Sequence, residues 1–376
     1  MEFEELASWE KRVYANVFKR LPITATRGKG MYVWDTNGKK YLDMYAGIAV
    51  NCLGHAHPRI VKKIKEQAGT LGHVSNWVYT LPQLRLADKL LSLTGQEKVF
   101  LTNDGSEAVE CALKLAMASK GKSRFIAMKG AFHGRTLGAL SLTSGEKYRN
   151  PFKAFLGDVS FVDYGDADAV SSAIDKDTAA VFVEPIQGEA GVIVPPKGYL
   201  KALRDVTEDK DVLLAVDEVQ TGFGRTGAMF ACEHEKVKPD IMCVAKGMGA
   251  GFPIGAALYN GMDFNAGEHG GTFLGSPLAC SVASEVLSVI EEDKLVENAR
   301  KMGDMLVKEM EGLGLKVHGM GLMLGVDVAD GGKTVLDLIG EGVLTIYSKD
   351  TVRVLPPLII EKKHIIEFIK ALSKVN

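Results

Sequence analysis

The chain has 376 residues, of which 46% are hydrophobic and 24% are charged, and its formal net charge is −2. This is the composition of an ordinary globular protein that is long enough for two domains. The near-neutral charge argues against nucleic acid or a membrane surface as the main partner. No apolar run approaches the ~20 residues of a membrane-spanning helix.

The start of the chain and its cysteines favour a cytoplasmic protein. Residues 1–5 are acidic and lack the basic and then apolar order of a signal peptide. The five cysteines include no C-x-x-C pair, so we expect buried free thiols, as in a reducing compartment. His55 and His57 have a spacing that could suit a metal, but no cysteine or carboxylate cluster joins them, and we expect no metal site.

The first predicted element is a hairpin over residues 31–45, with an Asn-Gly turn at Asn37. Hydrophobic patterning then predicts alternating helices and strands. The helices are predicted at 57–70, 82–94, 105–120, 166–174 and 196–209, and the strands at 98–102, 124–128, 159–162, 179–183, 212–217 and 241–245. Such alternation predicts an α/β fold with a mostly parallel central sheet, helices on both faces and ligands beyond the carboxyl ends of the strands.

The last quarter of the chain predicts a smaller α/β unit. A long helical stretch from near Pro277 to about Glu311 precedes strands at 316–328 and 351–355 and helices near 333–341 and 361–374. We expect residues 53–275 to form a large domain. Residues 1–52 and 276–376 are expected to form a small domain, which packs against the large one across a cleft.

Two of the predicted buried strands end in chemically useful residues. Lys246 follows the strand at 241–245 and opens a glycine-rich turn, while Asp217 ends the strand at 212–217. A lone lysine at a strand end is most often a surface residue with a buried stem. An amine and a carboxylate at one sheet edge are also what pyridoxal phosphate requires, the amine for a Schiff base and the carboxylate for the pyridine nitrogen.

A third strand, at 98–102, leads through Asp104 and Gly105 into a helix that opens at Ser106. Gly105 allows a close approach of the backbone, and the first N–H groups of the helix form an anion site suited to a phosphate. The same residues also fit a simple helix cap, with Ser106 or Asp104 as the capping residue.

Four further residues have the chemistry of a binding site. Phe132 lies between glycines after the strand at 124–128, where it can stack on a flat cofactor or pack in the core. Arg135, in the same turn, can hold a carboxylate or form a surface salt bridge. Glu189 lies with Glu184 in a turn after a buried strand. Arg353 lies in an apolar run, where it needs a carboxylate from the protein or from a substrate.

One motif points elsewhere. Residues 222–227 match G-x-G-x-x-G, but a dinucleotide site also needs a helix that opens at the glycines and an acid ~20 residues later. Here the acids Asp217 and Glu218 precede the glycines, and only a short segment separates them from the Lys246 strand. We therefore do not interpret the motif as a nucleotide site.

Taken together, these segments resemble the ornithine and acetylornithine aminotransferase group, the class III branch of the fold-type I pyridoxal phosphate enzymes. The matching stretches are G-I-A-V-N-C-L-G-H-A-H-P at 47–58, N-D-G-S-E-A-V-E at 103–110, F-H-G-R-T-L at 132–137, E-P-I-Q-G-E-A-G at 184–191, D-E-V-Q-T-G-F-G-R-T-G at 217–227, A-K-G at 245–247 and R-V-L-P-P-L at 353–358. They cover nearly the whole chain, in the order of the family.

The resemblance implies a role for each residue that would contact the cofactor ring. Lys246 would bind pyridoxal phosphate covalently and, once released, move the proton between substrate and cofactor. Asp217 would keep the pyridine nitrogen protonated, so that the ring accepts electrons. Gln220 would hydrogen-bond near the ring hydroxyl, and Phe132 would stack on the ring.

The resemblance also implies how the phosphate and the subunits are arranged. Gly105 and Ser106 would cradle the phosphate, and Thr272 would reach the phosphate of the neighbouring subunit. The protein would then be a homodimer with shared active sites. Gly271 stands where some relatives have a serine, which removes one hydroxyl from the phosphate site.

The substrates implied are an ω-amine donor and the acceptor 2-oxoglutarate. Glu189 would neutralise Arg353 while the amine donor is bound, and would release Arg353 to hold the α-carboxylate of glutamate. Arg135 would hold the distal carboxylate of either substrate. Phe18 stands where ornithine aminotransferases often have a tyrosine that helps to hold free ornithine.

The expected activity is therefore a transfer of the terminal amine of N-acetylornithine, or of a similar acylated diamino acid, in arginine biosynthesis. The alanine in Gly-Glu-Ala-Gly at 188–191 favours this substrate over 4-aminobutyrate. Ornithine, 4-aminobutyrate and lysine on a carrier protein stay open as alternative donors. A racemase or aminomutase on the same cofactor would have no need to mask Arg353, and a non-catalytic scaffold would not need Lys246 and Asp217.

Overall fold

The computed structural model describes residues 3–375. The helices in this range are α1 (Phe3–Val13), α2 (Ala46–Ala49), α3 (Pro58–Ala68), α4 (Leu81–Thr94), α5 (Gly105–Lys120), α6 (Leu137–Leu142), α7 (Glu146–Arg149), α8 (Ala167–Ala173), α9 (Tyr199–Asp209), α10 (Pro277–Glu292), α11 (Leu295–Glu311), α12 (Gly331–Gly340) and α13 (Lys362–Val375). The strands are β1 (Ala25–Lys29), β2 (Tyr32–Asp35), β3 (Lys40–Asp43), β4 (Lys98–Thr102), β5 (Arg124–Met128), β6 (Val159–Val162), β7 (Thr178–Val183), β8 (Leu213–Asp217), β9 (Ile241–Val244), β10 (Gly255–Tyr259), β11 (Lys316–Met320), β12 (Met323–Asp327), β13 (Val343–Leu344), β14 (Ile346–Ser348) and β15 (Thr351–Val354).

The central sheet has seven strands in the order β4-β10-β9-β8-β7-β5-β6. Strands β9, β8, β7, β5 and β6 are parallel, and β10 runs antiparallel to both β9 and β4. Every residue of β7, β8 and β9 is buried, as expected for parallel strands that are covered on both faces. The predicted mostly parallel sheet is confirmed, while β10 was not predicted.

Alternate residues of these strands belong to two hydrophobic cores. Val181 and Val216 face the core that contains α10, whereas Phe182 and Ala215 face the core that contains α5. Side chains on a strand alternate between its faces, so each core covers one side of the sheet. The predicted helices on both faces are therefore confirmed.

Two smaller sheets flank this layer, with the strand orders β1-β2-β3-β13 and β11-β12-β15-β14. The first joins the N-terminal hairpin to the C-terminal region, because Val343 and Leu344 pair in parallel with Leu42 and Asp43. This pairing supports our proposal that residues 1–52 and 276–376 form one small domain beside residues 53–275.

The helical stretch predicted from near Pro277 to about Glu311 consists of two helices in the structure. Helix α10 ends at Glu292, and Lys294 adopts a left-handed backbone conformation with φ +52°. An α-helix cannot continue through a left-handed residue, so the chain changes direction before α11 begins. Periodicity alone did not indicate this break.

The short element α2 is a left-handed turn, with φ values of 50°, 61°, 67° and 61° for Ala46, Gly47, Ile48 and Ala49. A β-branched residue such as Ile48 is strained in this conformation, so the surroundings must hold the turn in place. Asp43 does so, because its Oδ1 accepts the N–H groups of Tyr45 and Ala46 at 3.0 and 2.7 Å.

His55, one of the two histidines with metal-like spacing, pairs with the other oxygen of this carboxylate. Its Nε2 lies 2.7 Å from Asp43 Oδ2. Within residues 3–375 no three His, Cys, Asp or Glu side chains are grouped to hold a metal. None of the helices in that range combines the length and apolarity needed to cross a bilayer. The five cysteines are all buried and unpaired.

Candidate active site

A cavity of about 400 Å³ lies at the carboxyl ends of β4, β5, β7, β8 and β9. Its walls come from the segments that follow these strands, which the parallel sheet brings to one edge. The lining residues include Asn103, Asp104, Gly105, Ser106, Phe132, His133, Glu184, Glu189, Asp217, Gln220 and Lys246, with Val50 and Ile254 from two further loops. Most of the predicted site residues are thus brought together.

Lys246 opens a short 3₁₀ turn directly after β9, and its backbone has φ +42°. The side chain is partly buried and lines the cavity. Burial lowers the pKa of its amine below the ordinary value, and the charges of Glu189 and Asp217 only partly oppose this effect. A lysine with a lowered pKa is more often neutral and nucleophilic, as a Schiff-base lysine must be.

Asp217, at the end of β8, is held from two sides. The Nδ1 atom of His133 lies 2.8 Å from Asp217 Oδ2, and the N–H of Val219 donates to Oδ1 at 3.0 Å. Burial lowers the pKa of His133, but the hydrogen bond to Asp217 and its charge outweigh burial, so the net shift is upward. The carboxylate therefore keeps a fixed orientation against the cavity.

The role of His133 was not recognised from the sequence, although the residue directly follows Phe132. The side chain is fully buried, and its Nε2 has no partner within residues 3–375. The only sequence signal for this role was the position of His133 in the turn after β5. In the sheet, β5 is separated from β8 by β7 alone. That proximity follows from the strand order, which hydrophobic patterning does not give.

Glu184 ties two walls of the cavity together. Its Oε1 accepts the N–H of Phe132 at 2.9 Å, and its Oε2 accepts the N–H of Gly188 at 3.2 Å. Burial raises the pKa of this carboxyl to about 7. Glu184 thus fixes both the turn that carries Phe132 and the turn that carries Glu189.

The N-terminus of α5 forms a helix cap and also places backbone N–H groups beside the cavity. Asp104 is the cap, because its Oδ1 accepts the N–H of Glu107 at 2.9 Å. The N–H groups of Gly105 and Ser106 precede the first helical hydrogen bonds, and both residues line the cavity. A Cβ at Gly105 would lie 2.8 Å from Val219 Cγ1, so only glycine fits this approach.

Arg353, on β15, is bound to the cavity wall by two acceptors. Its Nη2 donates to Glu189 Oε1 at 2.7 Å and to Gln220 Oε1 at 2.9 Å. Its Nε is buried without a partner among residues 3–375. Burial raises the pKa of Glu189, but the charge and hydrogen bond of Arg353, together with the charge of Lys246 and the hydrogen bond of Gln220, outweigh burial, and the net shift is downward. The guanidinium therefore has an N–H group without a hydrogen-bond acceptor and can donate to a further anionic partner.

Three predicted site residues do not line the cavity in the single chain, namely Arg353, which is paired with Glu189, and also Arg135 and Thr272. Arg135 is exposed, with its guanidinium carbon 3.9 Å from the centre of the Tyr148 ring and 5.3 Å from that of Phe132. Thr272 is exposed beside Phe273 and does not line the cavity. A role for Arg135 at the mouth of the cavity and a role for Thr272 in another subunit both stay predictions.

The G-x-G-x-x-G segment at 222–227 does not bind a nucleotide in the way the dinucleotide fingerprint would. No helix opens at these glycines, since the next element of the chain is a 3₁₀ turn at Ala231–Glu235. The segment instead packs against the C-terminal region, where Leu322 N–H donates to Arg225 O at 2.9 Å.

The cavity has the features that pyridoxal phosphate needs. A helix N-terminus with free N–H groups suits the phosphate, and an oriented carboxylate at Asp217 suits a protonated ring nitrogen. Phe132 supplies an aromatic wall, and Lys246 supplies an amine with a lowered pKa. The residues present therefore fit this cofactor.

Comparison with known proteins gives the same family along the whole chain. The profile "Aminotransferase class-III" matches residues 13–375. The acetylornithine aminotransferase of Methanosarcina mazei is 46% identical over 380 residues, which cover 99% of this chain and 96% of that protein.

Solved structures agree. The ornithine aminotransferase of Toxoplasma gondii, described with partial occupancy of PLP at its active site, has a TM-score of 0.95 at 32% identity and covers 99% of this chain and 93% of its own. The acetylornithine aminotransferase of Elizabethkingia anophelis has a TM-score of 0.87 at 33% identity, with 100% and 99% covered.

Proposed function

The chain belongs to the class III aminotransferases, which are pyridoxal phosphate enzymes, and on that premise we propose that it transfers the terminal amine of N-acetylornithine to 2-oxoglutarate. The products would be the semialdehyde and glutamate, and the reaction would serve arginine biosynthesis in the cytoplasm. Relatives that carry the name acetylornithine aminotransferase at 42–46% identity support this substrate.

The observation that carries the proposal is the buried ion pair between Arg353 and Glu189. An aminotransferase of this kind must bind an amine with no neighbouring carboxylate in one half-reaction, and the α-amine of glutamate in the other. The side chain of Glu189 is 35% exposed and lines the cavity, whereas that of Arg353 is 2% exposed and does not. Movement of Glu189 alone would therefore uncover a guanidinium for the α-carboxylate of glutamate.

The other residues would act on the cofactor and on protons. Bound pyridoxal phosphate supplies an electron sink for the carbanion that forms when the substrate loses its proton. The N–H groups of Gly105 and Ser106 would bind the phosphate, Phe132 would stack on the ring, and Gln220 would lie near the ring hydroxyl. Asp217, oriented by His133, would hold a proton on the ring nitrogen.

Lys246 would hold the cofactor at rest and act as the base in the reaction. Its Nζ would take the proton from the carbon that bears the substrate amine. The lowered pKa of the amine suits this role, since a neutral amine can accept a proton near neutral pH. Arg135 would hold the distal carboxylate from the mouth of the cavity.

Phe18 supports an acylated substrate over free ornithine. It follows α1 and lines a second cavity of about 1000 Å³, which Tyr45, Ile48 and apolar side chains of α1 also line. A phenyl ring offers no hydroxyl to a free α-amino group, whereas it can contact the methyl group of an acetyl substituent.

We also propose a homodimer with shared active sites, in which Thr272 completes the phosphate site of the partner. Trp77 and Tyr79 are 93% and 95% exposed in the single chain, and Phe273, next to Thr272, is 65% exposed. Large apolar side chains exposed together mark a surface that is covered in the functional protein.

The proposal is tested by following the visible absorption of the purified enzyme with its cofactor. N-acetylornithine alone should bleach the band of the bound cofactor, and 2-oxoglutarate should restore it. If the band does not respond to N-acetylornithine but bleaches with ornithine, 4-aminobutyrate or carrier-linked lysine, the amine donor is that compound and our proposed substrate is wrong. A protein that shows no band after addition of pyridoxal phosphate would contradict the role of Lys246.

Glu189→Gln tests the switch directly. The variant leaves Arg353 without a charged partner, so we expect glutamate to be favoured over N-acetylornithine by tenfold or more relative to the wild type, about 1.4 kcal/mol. The exposed Glu309→Gln on α11 is a matched control that removes a carboxylate outside the residues that line the cavity. An unchanged ratio of the two half-reactions in the Glu189 variant would refute the switch.

A further inference from the structure

Arg225, inside the G-x-G-x-x-G segment, is a fully buried cation that the proposed reaction does not use. Its Nη1 donates to the carbonyl oxygens of Leu322 and Pro356 at 2.9 and 2.5 Å. Its own carbonyl oxygen accepts the N–H of Leu322 at 2.9 Å. Nη2 is buried without a partner among residues 3–375. The side chain therefore links the loop at 217–227 to two separate points of the C-terminal region.

The stability of the fold does not explain an arginine at this position. The described residues include no ion pair to Arg225, and burial lowers its pKa to about 10. A buried cation that is bound only to carbonyl groups costs folding free energy, and an apolar side chain of similar size is often tolerated as well or better. The guanidinium must then serve something other than the free energy of unfolding.

The backbones that Arg225 joins already lie in direct contact. Gly321, in the turn between β11 and β12, has φ +55°, and a Cβ there would lie 2.5 Å from the carbonyl carbon of Thr226. A Cβ at Gly303 of α11 would lie 2.1 Å from the Gly321 oxygen. This close packing lets the guanidinium span from the loop to both carbonyl groups.

Both attachment points lead to Arg353. Leu322 directly precedes β12, in which Gly325 pairs with Arg353 of β15. Pro356 lies three residues after Arg353 on the same segment. Nearer the start of the loop, Gln220 Oε1 accepts a hydrogen bond from Arg353 Nη2 at 2.9 Å. The loop that carries Asp217 and Gln220 is thus fastened to β12 and to the segment after β15 at the same end of this strand pair, within a few residues of Arg353.

We propose that Arg225 is a positioning residue for the glutamate half-reaction, an inference that rests on the proposed function. It holds the backbone of β12 and β15 at a fixed distance from the loop at 217–227. Arg353 can then exchange Glu189 for a substrate carboxylate by movement of side chains alone. Without this anchor the strands would be free to shift, and the guanidinium would lose its alignment with the carboxylate.

The test compares the two half-reactions of the enzyme with its cofactor in Arg225→Met and Arg225→Lys. We expect Arg225→Met to raise the apparent Kd for glutamate about tenfold, which corresponds to 1.4 kcal/mol. The apparent Kd for N-acetylornithine should change less than about twofold, because Arg353 is masked in that half-reaction. Arg225→Lys, which can still reach one carbonyl oxygen, should lie between the wild type and the Met variant.

Arg204→Met is the matched control. Arg204 is also mostly buried in the large sheet domain, but it pairs with Asp240 at 2.8 Å and has no link to β15. It should leave the ratio of the two half-reactions unchanged. Gly321→Ala, which separates the same backbones without altering Arg225, should reproduce the defect that is specific to glutamate.

The outcomes separate the two hypotheses. A wild-type enzyme that reacts with neither substrate refutes the proposed function. If the wild type reacts with both, equal impairment of the two half-reactions in Arg225→Met, or no impairment, overturns the positioning role. Failure of both Arg225 variants to fold would overturn it as well, since the residue would then serve stability.

Discussion

At the scale of single residues, Glu184 makes the folded protein sensitive to pH. Its pKa rises from an ordinary value of 4.5 to about 7 because the carboxyl is buried. A group with a raised pKa in the folded state stabilises the fold fully below its unfolded pKa, and this contribution is lost as the pH rises through the folded pKa. The relevant window therefore runs from about pH 4.5 to about pH 7.

Glu184→Gln should remove this dependence, because an amide does not titrate. We expect the free energy of unfolding of the wild type, relative to the variant, to fall by up to about 3 kcal/mol between pH 5 and pH 8. Urea denaturation of the protein without cofactor at several pH values measures this difference. His133 is present in both proteins, and because the charge of Glu184 helps to raise the pKa of His133, the difference measures Glu184 together with this coupling. A difference that is the same at all pH values would refute the prediction.

The neighbours of Glu184 show what sequence could and could not give for the site. Lys246 and Asp217 were predictable, since each ends a buried strand and parallel strands align their carboxyl ends. The partner of Asp217, His133, was not, because it depends on β5 and β8 being separated only by β7. Arg353 needed a carboxylate on physical grounds, but its pairing with Glu189 came from the family resemblance and from the structure.

At the scale of elements, we expect the approach of α5 to the loop after β8 to control the proposed phosphate site. Gly105→Ala would place a methyl group against Val219, and overpacking of this kind costs roughly 1–3 kcal/mol. We expect the helix terminus to shift and the Kd for pyridoxal phosphate to rise about tenfold or more.

The double variant Gly105→Ala/Val219→Ala supplies the control for this prediction. It removes the atoms that the new methyl group would meet, so cofactor affinity should recover most of the loss. Titration of the cofactor-free protein, followed by absorbance, measures both variants. Equal affinities in the single and double variants would show that the contact with Val219 is not the cause.

Most elements of the large sheet were predicted within one or two residues, because their hydrophobic runs are unambiguous. Strand β10 was missed, although all its residues are buried, because its Gly-Ala-Ala start lacks the β-branched residues typical of strands. Helix α1 was missed because it buries none of its residues. The division of α10 from α11 depends on the backbone of Lys294, which carries no pattern in the sequence.

At the scale of the whole molecule, the exposed aromatic side chains predict an assembly. We expect the purified protein to sediment as a dimer, and Trp77→Asp to shift it towards the monomer, because a charge would be buried in the interface. The variant should also lose cofactor affinity if Thr272 serves the partner's site. Phe155→Asp is the control, since Phe155 is 77% exposed but lies on a different segment. Equal dimer dissociation constants for the Trp77 and Phe155 variants would contradict the placement of the interface.

The five buried thiols offer a way to follow the motions of the molecule part by part. Cys52 lies beside the Lys246 turn, where its Sγ contacts Gly247 O at 3.0 Å, and the others lie in α5, the 3₁₀ turn at Ala231–Glu235, β9 and α10. A buried thiol reacts with an alkylating reagent only when its surroundings open, so each labelling rate measures one local opening. We expect bound cofactor to slow the labelling of Cys52 and Cys243 most. The five thiols thus report on five local openings, and mass spectra of the digested protein at successive labelling times would measure all five rates.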